Sequence, residues 1–134
     1  MIRQPDWRSD DGSAVVEFTL VTVLLTLLTV SVMQLGLALH VRNTVTDAAA
    51  EGARYAALAD NGLAEGVERT RQLIAAAVGP DYADDVTASY GTYRGHPSAE
   101  VRVVTTLPLI GLLGPGSGLE VTAHAAVETL DDNA

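Results

Sequence analysis

The sequence predicts an α+β fold, and three observations on its hydrophobic pattern lead to that prediction. Residues 18–39 form a run of 22 residues without a formally charged side chain, and no proline interrupts residues 6–79. Apolar residues then recur near helical spacing through 63–78. Beyond residue 80 the apolar period falls to two, the period of half-buried strands. Helices therefore precede strands along the chain, as in an α+β domain.

The charge-free run is long enough to cross a bilayer. A helix of that length rises roughly 33 Å, against about 30 Å for a hydrocarbon core. The run is too long for an ordinary secretory signal, and no small-residue cleavage site follows it. We expect one long helix over about 13–58, half in lipid and half amphipathic. The expected division of the chain is 1–12, 13–39 and 40–134.

A second helix and a sheet are predicted further along the chain. Asp60-Asn61-Gly62 predicts a turn, and the helix over 63–78 is expected to end at Gly79-Pro80. Three half-buried strands follow, at residues 86–90, 101–103 and 119–127. The simplest way to bury them is a three-stranded antiparallel sheet packed on the amphipathic half of the first helix. The apolar connection 107–113 predicts either a loop over the core or a patch for a subunit or membrane.

Composition argues against several classes of function. The net charge is −9 and all eight cations are arginine, so nucleic-acid binding has no electrostatic footprint. The chain has no cysteine, which removes thiol chemistry, disulfides and cysteine-based metal sites. His40, His96 and His124 are far apart in the sequence, and no catalytic spacing is present. We expect no catalytic residue, metal, cofactor or small-molecule substrate.

One carboxylate, Glu17, lies at the entrance to the apolar run. An unpaired carboxylate in lipid costs several kcal/mol, by rough estimate. One interpretation is that Glu17 extends to the lipid headgroups, near a helix N-terminus that favours an anion. The other is that it pairs with a cation on a neighbouring subunit.

Four threonines of the apolar run fall on one helix face. Thr19, Thr22, Thr26 and Thr29 have 3-4-3 spacing, and Gly36 continues the face. Small or hydroxylated residues let membrane helices approach closely and bond to each other. The alternative is that each hydroxyl bonds back to a carbonyl of its own helix. Both alternatives remain open from the sequence.

A groove of small residues is predicted just beyond the apolar run. Ala48, Gly52 and Ala56 recur every four residues and so share one helix face. We expect this face to let the sheet pack close to the helix, and not to form a separate binding site.

Two stretches resemble the TadE-like minor pilins of tight-adherence (Flp-type) type IV pilus systems. The first is Gly12-Ser13-Ala14-Val15-Val16-Glu17-Phe18, and the second is residues 40–57. With the helix between them they cover roughly residues 12–58. The resemblance implies a pilin-like subunit of a bacterial cell membrane. Residues 1–12 would be a cytoplasmic leader, residues 13–39 a single membrane helix, and residues 40–134 an extracytoplasmic domain.

The resemblance also implies how such a subunit works. A prepilin peptidase would cut after Gly12, leaving Ser13 as the new N-terminus, and Glu17 would register the helix against that amine on a neighbour. The partners would be membrane lipid, the major Flp-type pilin, other minor pilins and the assembly machinery. The subunit would contribute to assembling or priming a pilus used in surface attachment.

Two other functions remain as alternatives. In the first, the chain is an uncleaved single-pass anchor, a pilus-assembly or envelope factor that never enters the fibre. In the second, which has less support, it is a membrane-tethered hydrolase. Arginine counts on the two sides of the apolar run are too even to set the orientation by themselves.

Overall fold

The structure is a computed structural model, and it describes residues 8–107 and 118–128. The elements are helix α1 (Arg8–Ala57), helix α2 (Leu63–Ala77), a 3₁₀ turn (Pro80–Ala83) and strands β1 (Asp85–Tyr93), β2 (His96–Thr106) and β3 (Gly118–Ala126). This order confirms the predicted α+β fold of a long helix, a second helix and three strands. The chain forms two compact units, one ending at Gly36 and the other beginning at Leu37.

Helix α1 is continuous for 50 residues. It begins at Arg8, several residues before the predicted start near residue 13, and no proline lies between Pro5 and the end of α1. In the second unit the helix buries a stripe with spacing of three or four residues: Val41, Val45, Ala48, Ala49, Ala53, Ala56 and Ala57.

Helix α2 has a clear signal at each end. At its start, the Gly62 amide donates to the Glu65 carboxylate over 3.1 Å, which satisfies one backbone donor before the helix. At its end, the amides of Val78 and Gly79 both donate to the Ile74 carbonyl, over 2.9 and 3.2 Å. Gly79 has a φ of 119°, a conformation that favours glycine, so the predicted Gly-Pro ending of this helix is confirmed.

The sheet is antiparallel throughout, with β2 between β1 and β3. Its first hairpin turns on Arg94 and Gly95, whose φ angles are 51° and 85°. Positive φ at both central residues is the geometry of a two-residue hairpin turn, and pairing therefore continues to Tyr93 and His96. The predicted strands at residues 86–90 and 101–103 were therefore too short, because the turn between them takes only two residues.

The core of the second unit lies between the helices and one face of the sheet. A single buried cluster joins Val41 and Val45 of α1, Ile74 of α2, and Val101 and Val103 of β2. Leu107 packs against this cluster as a partly buried residue. The rest of the apolar connection 107–113 lies outside the described residues.

Candidate functional site

The first candidate site is the apolar surface of α1 in the first unit. Every residue from 11 to 33 is exposed, including Phe18 at 73% and Met33 at 70%. Leucine and valine side chains cover all sides of the helix, which is the pattern of a membrane span and not of a surface helix with one apolar stripe. The helix is long and apolar enough to cross a membrane.

Gly12 and Ser13, the predicted cleavage pair, lie within α1 and are exposed. A Cβ added at Gly12 would meet nothing within 4 Å. Folding of the described residues therefore places no steric requirement for glycine at this position.

Glu17 lies one turn further along α1, and its side chain is exposed. Among the side chains of residues 11–107 and 118–128, no cation lies within ion-pair distance of its carboxylate. At 100° per residue, Glu17 points about 150° away from the centre of the threonine face. A partner helix that contacts the threonine face is therefore not the one that contacts Glu17.

The threonine face consists of Thr19, Thr22, Thr26, Thr29 and Gly36. Each threonine hydroxyl donates to the carbonyl four residues earlier, over 2.8 Å in every case. The backbone-bonded alternative is thus the one present in the isolated chain. These hydroxyls still have lone pairs that can accept hydrogen bonds from a partner. The space beside Gly36 is open, because a Cβ added there would meet nothing within 4 Å, and a neighbouring helix could approach the face closely.

The groove of small residues on α1 receives α2. A Cβ at Gly52 would collide with the Thr70 hydroxyl oxygen and lie 2.7 Å from the Gly66 carbonyl. A Cβ at Gly66 would in turn lie 2.6 Å from the Ala56 side chain. The expectation that the sheet fills this groove was therefore wrong at Gly52, whose near neighbours belong to α2.

Ala48 and Ala56 each belong to a buried cluster that also contains sheet residues. Ala48 clusters with Val86, Val101 and Val103, and Ala56 clusters with Ala99 of β2. The stripe thus serves two partners, because it runs along a helix that meets both the sheet and α2. Thr70, which is fully buried, keeps its hydroxyl satisfied by donating to the Gly66 carbonyl over 2.9 Å.

The outer face of the sheet has a polar cluster that the sequence did not reveal. Arg102 pairs with Glu120 over 2.9 Å, and His124 Nδ1 lies 3.5 Å from the Glu100 carboxylate. The Tyr93 ring stacks on His124 with centroids 4.4 Å apart and planes 12° apart. The Arg94-Gly95 turn was a partial signal, because it sets the register of β1 on β2 and so the position of Tyr93 in this cluster.

The polar residues do not form a metal centre within the described ranges. No group of three or more His, Asp or Glu side chains there is arranged to hold an ion. His40, His96 and His124 are exposed and lie on separate elements.

Comparison with known proteins gives one match. Residues 12–54 match the family model described as TadE-like protein. The matched segment includes Gly12, Ser13, Glu17, the threonine face and Gly52, and it ends before α2 and the sheet. No curated protein and no solved structure matches the chain. The resemblance recognised in the sequence is confirmed over this segment.

Proposed function

We propose that this chain, which residues 12–54 identify as a TadE-like protein, is a pilin-like subunit that acts by assembly. The TadE-like family is a structural family associated with the Tad pilus, and the apolar α1 segment indicates a membrane-anchored member. Our proposal is narrower. The chain is inserted with residues 40–134 outside, is cut after Gly12, and enters or primes the pilus beside other pilins.

The observation that carries this proposal is the coincidence of the family match with the exposed apolar helix. Residues 12–54 contain the whole charge-free run, and its surface is bare in the isolated chain. The same helix continues into the second unit, where its buried stripe is part of the core. One element thus supplies both the anchor and the central helix of the folded unit.

Glu17 supplies the registering step in this proposal. Cleavage after Gly12 would create an amine on Ser13, four residues from the carboxylate. Both charges would lie at the edge of the hydrocarbon, where an unpaired charge costs several kcal/mol, by rough estimate. Pairing the amine of one subunit with Glu17 of the next would remove that cost only when the two helices are cleaved and in register.

The threonine face would select a second neighbour. Its centre lies about 150° around the helix from Glu17, so one subunit would contact different helices through its two features. Because the hydroxyls already donate within α1, close packing of the small face and not new donated hydrogen bonds would supply most of the attraction.

Replacing the threonines tests whether the face works by shape. Changing Thr19, Thr22, Thr26 and Thr29 together to leucine is expected to lower co-purification of other Tad pilins about fivefold or more. Changing the same four to valine keeps the shape, and co-purification is expected to stay within about twofold. Pull-down from detergent-solubilised membranes measures both.

Ser31→Leu is the matched control for the threonine replacements. Ser31 also bonds back to its own helix, over 2.7 Å, but lies on the side opposite the threonine face. We expect it to leave co-purification unchanged. Full co-purification by the leucine variant, or an equal loss with Ser31→Leu, would contradict a selective face.

The second candidate function is an uncleaved anchor that stays in the membrane. The same exposed apolar helix supports it, and Glu17 would then reach the headgroups without a protein partner. Fractionation of cells into membranes and sheared pili separates the two functions. The subunit proposal expects the chain in both fractions, whereas its confinement to the membrane under piliated conditions would favour the anchor.

A further inference from the structure

Outside the TadE-like segment, the most distinctive surface is a cleft at one end of the sheet. It has a volume of about 190 Å³ and lies where the β1–β2 turn meets the last residues of β3. Its lining includes Tyr93, Arg94 and His96 around the turn, Ser98 on β2 and His124 on β3. We call these five residues the turn cleft.

The aromatic wall of the turn cleft is held in place by its neighbours. Tyr93 stacks on His124 at 4.4 Å, and the Arg94 guanidinium carbon lies 5.5 Å from the centroid of the same ring. Nδ1 at the edge of the His124 ring lies 3.5 Å from the Glu100 carboxylate. The stacked pair of Tyr93 and His124 is therefore already in place before binding, and preorganised side chains lower the cost of binding.

The charge of the cleft is opposite to that of the whole chain. Arg54 and Arg102 each pair with a glutamate, whereas Arg94, like Arg42, Arg69 and Arg71, has no carboxylate within 4.0 Å in the part of the chain that the structure describes. His96 is likewise unpaired among the side chains of residues 11–107 and 118–128. In a chain of net charge −9, this end of the sheet offers a guanidinium that is open to an incoming acid. Guanidinium groups match carboxylates in both charge and planar geometry.

The size of the cleft limits what it can hold. Pockets for whole small molecules usually measure roughly 300–1,000 Å³, and about 190 Å³ is below that range. A single side chain fits such a volume, and tyrosine and arginine are the residues that most often anchor one at protein interfaces. The size therefore argues for one residue of a partner and against a free metabolite.

We propose that the turn cleft receives an aspartate or glutamate side chain from a neighbouring protein chain. The carboxylate would bind the Arg94 guanidinium, with His96 beside it, and the aliphatic part of the residue would lie against Ala126 at the end of β3. This site is independent of the membrane helix, so it stands whether or not the chain enters a pilus.

The test uses two matched probes on the full chain in detergent micelles. N-acetyl-glutamate N-methylamide carries the carboxylate, and N-acetyl-glutamine N-methylamide has nearly the same shape without the charge. Each probe is titrated while the amide NMR shifts are recorded. With the acid probe, we expect saturable shift changes at Tyr93, Arg94, His96 and His124. The glutamine probe is expected to bind about fivefold more weakly or worse.

Arg94→Asn removes the cation while protecting the fold. Asn-Gly is the preferred pair for a two-residue turn with positive φ, so this variant keeps the hairpin. We expect it to weaken the acid probe about fivefold or more, whereas Arg102→Gln on the same sheet changes binding by less than about twofold. Equal binding of the two probes, or undiminished binding by Arg94→Asn, would overturn the proposal. Inorganic phosphate binding as tightly as the acid probe would assign the cleft to a free anion and overturn it as well.

Discussion

Glu17→Gln is expected to abolish incorporation of this chain into pili without lowering its amount in the membrane. The glutamine fills the same space but carries no charge, so the amine that cleavage creates on a neighbouring Ser13 would be buried alone. Breaking a buried ion pair from one side costs about 3–5 kcal/mol, which corresponds to a hundredfold or greater loss of assembly. Immunoblots of membranes and of sheared pili measure the two quantities.

Glu51→Gln is the control for Glu17. It makes the same change on the same helix, at a glutamate whose side chain is 45% exposed and lies 3.8 Å from Arg54. Solvated pairs of this kind contribute about 0.2–1 kcal/mol, so incorporation should remain within about fivefold of the wild type. Normal incorporation of Glu17→Gln would support the alternative in which Glu17 only reaches the headgroups.

Gly52→Val is expected to produce the largest loss of stability in the second unit. A side chain at residue 52 would collide with Thr70 and crowd the Gly66 carbonyl, and a backbone atom cannot move aside without shifting α2. We expect the free energy of unfolding to fall by about 3 kcal/mol, at the upper end of overpacking effects. Urea titration of the full chain in micelles, read by amide exchange in α2, measures this change.

Gly36→Val is the matched control for Gly52→Val. It places the same side chain on the same helix, where a Cβ meets nothing within 4 Å. The free energy of unfolding measured by amide exchange in α2 should then change by less than about 0.5 kcal/mol. Equal losses from the two valines would mean that valine weakens α1 in general and that the contact between Gly52 and α2 is unimportant.

Local patterns in the sequence were sufficient for the kinds of elements. The charge-free run and the absence of proline predicted the long helix, and period-two alternation predicted three strands in the order found. Gly79-Pro80 predicted the end of α2 because it is a local backbone signal. These features depend on residues that are close in the sequence, so the sequence pattern alone is enough to predict them.

Partners between distant elements could not be predicted in the same way. The four-residue spacing through Gly52 indicated a close approach, but an i, i+4 stripe does not say what approaches. The matching stripe on α2 consists of Gly66, Thr70 and Ile74. Because Gly66 and Thr70 are not strongly apolar, apolar periodicity does not mark them as buried. The signal that could have predicted the contact was the presence of small residues at four-residue spacing on both α1 and α2.

The turn cleft was missed for a related reason. Tyr93 and His124 are 31 residues apart in the sequence, and they meet only after the register of both strand pairs is fixed. The register of β1 on β2 depends on a turn in which Arg94 adopts a positive φ, a conformation that is uncommon outside glycine. Sequence periodicity gives the faces of strands but not the residue at which a hairpin turns.

The most direct test of the subunit proposal is the intact mass of the chain in each cellular fraction. We expect the chain from sheared pili to lack residues 1–12 and to begin at Ser13, and the membrane fraction to contain that same processed form. The processed mass in both fractions would support cleavage followed by assembly. A full-length mass in the membrane, with no chain in the pili of piliated cells, would contradict the proposal and favour a permanent anchor.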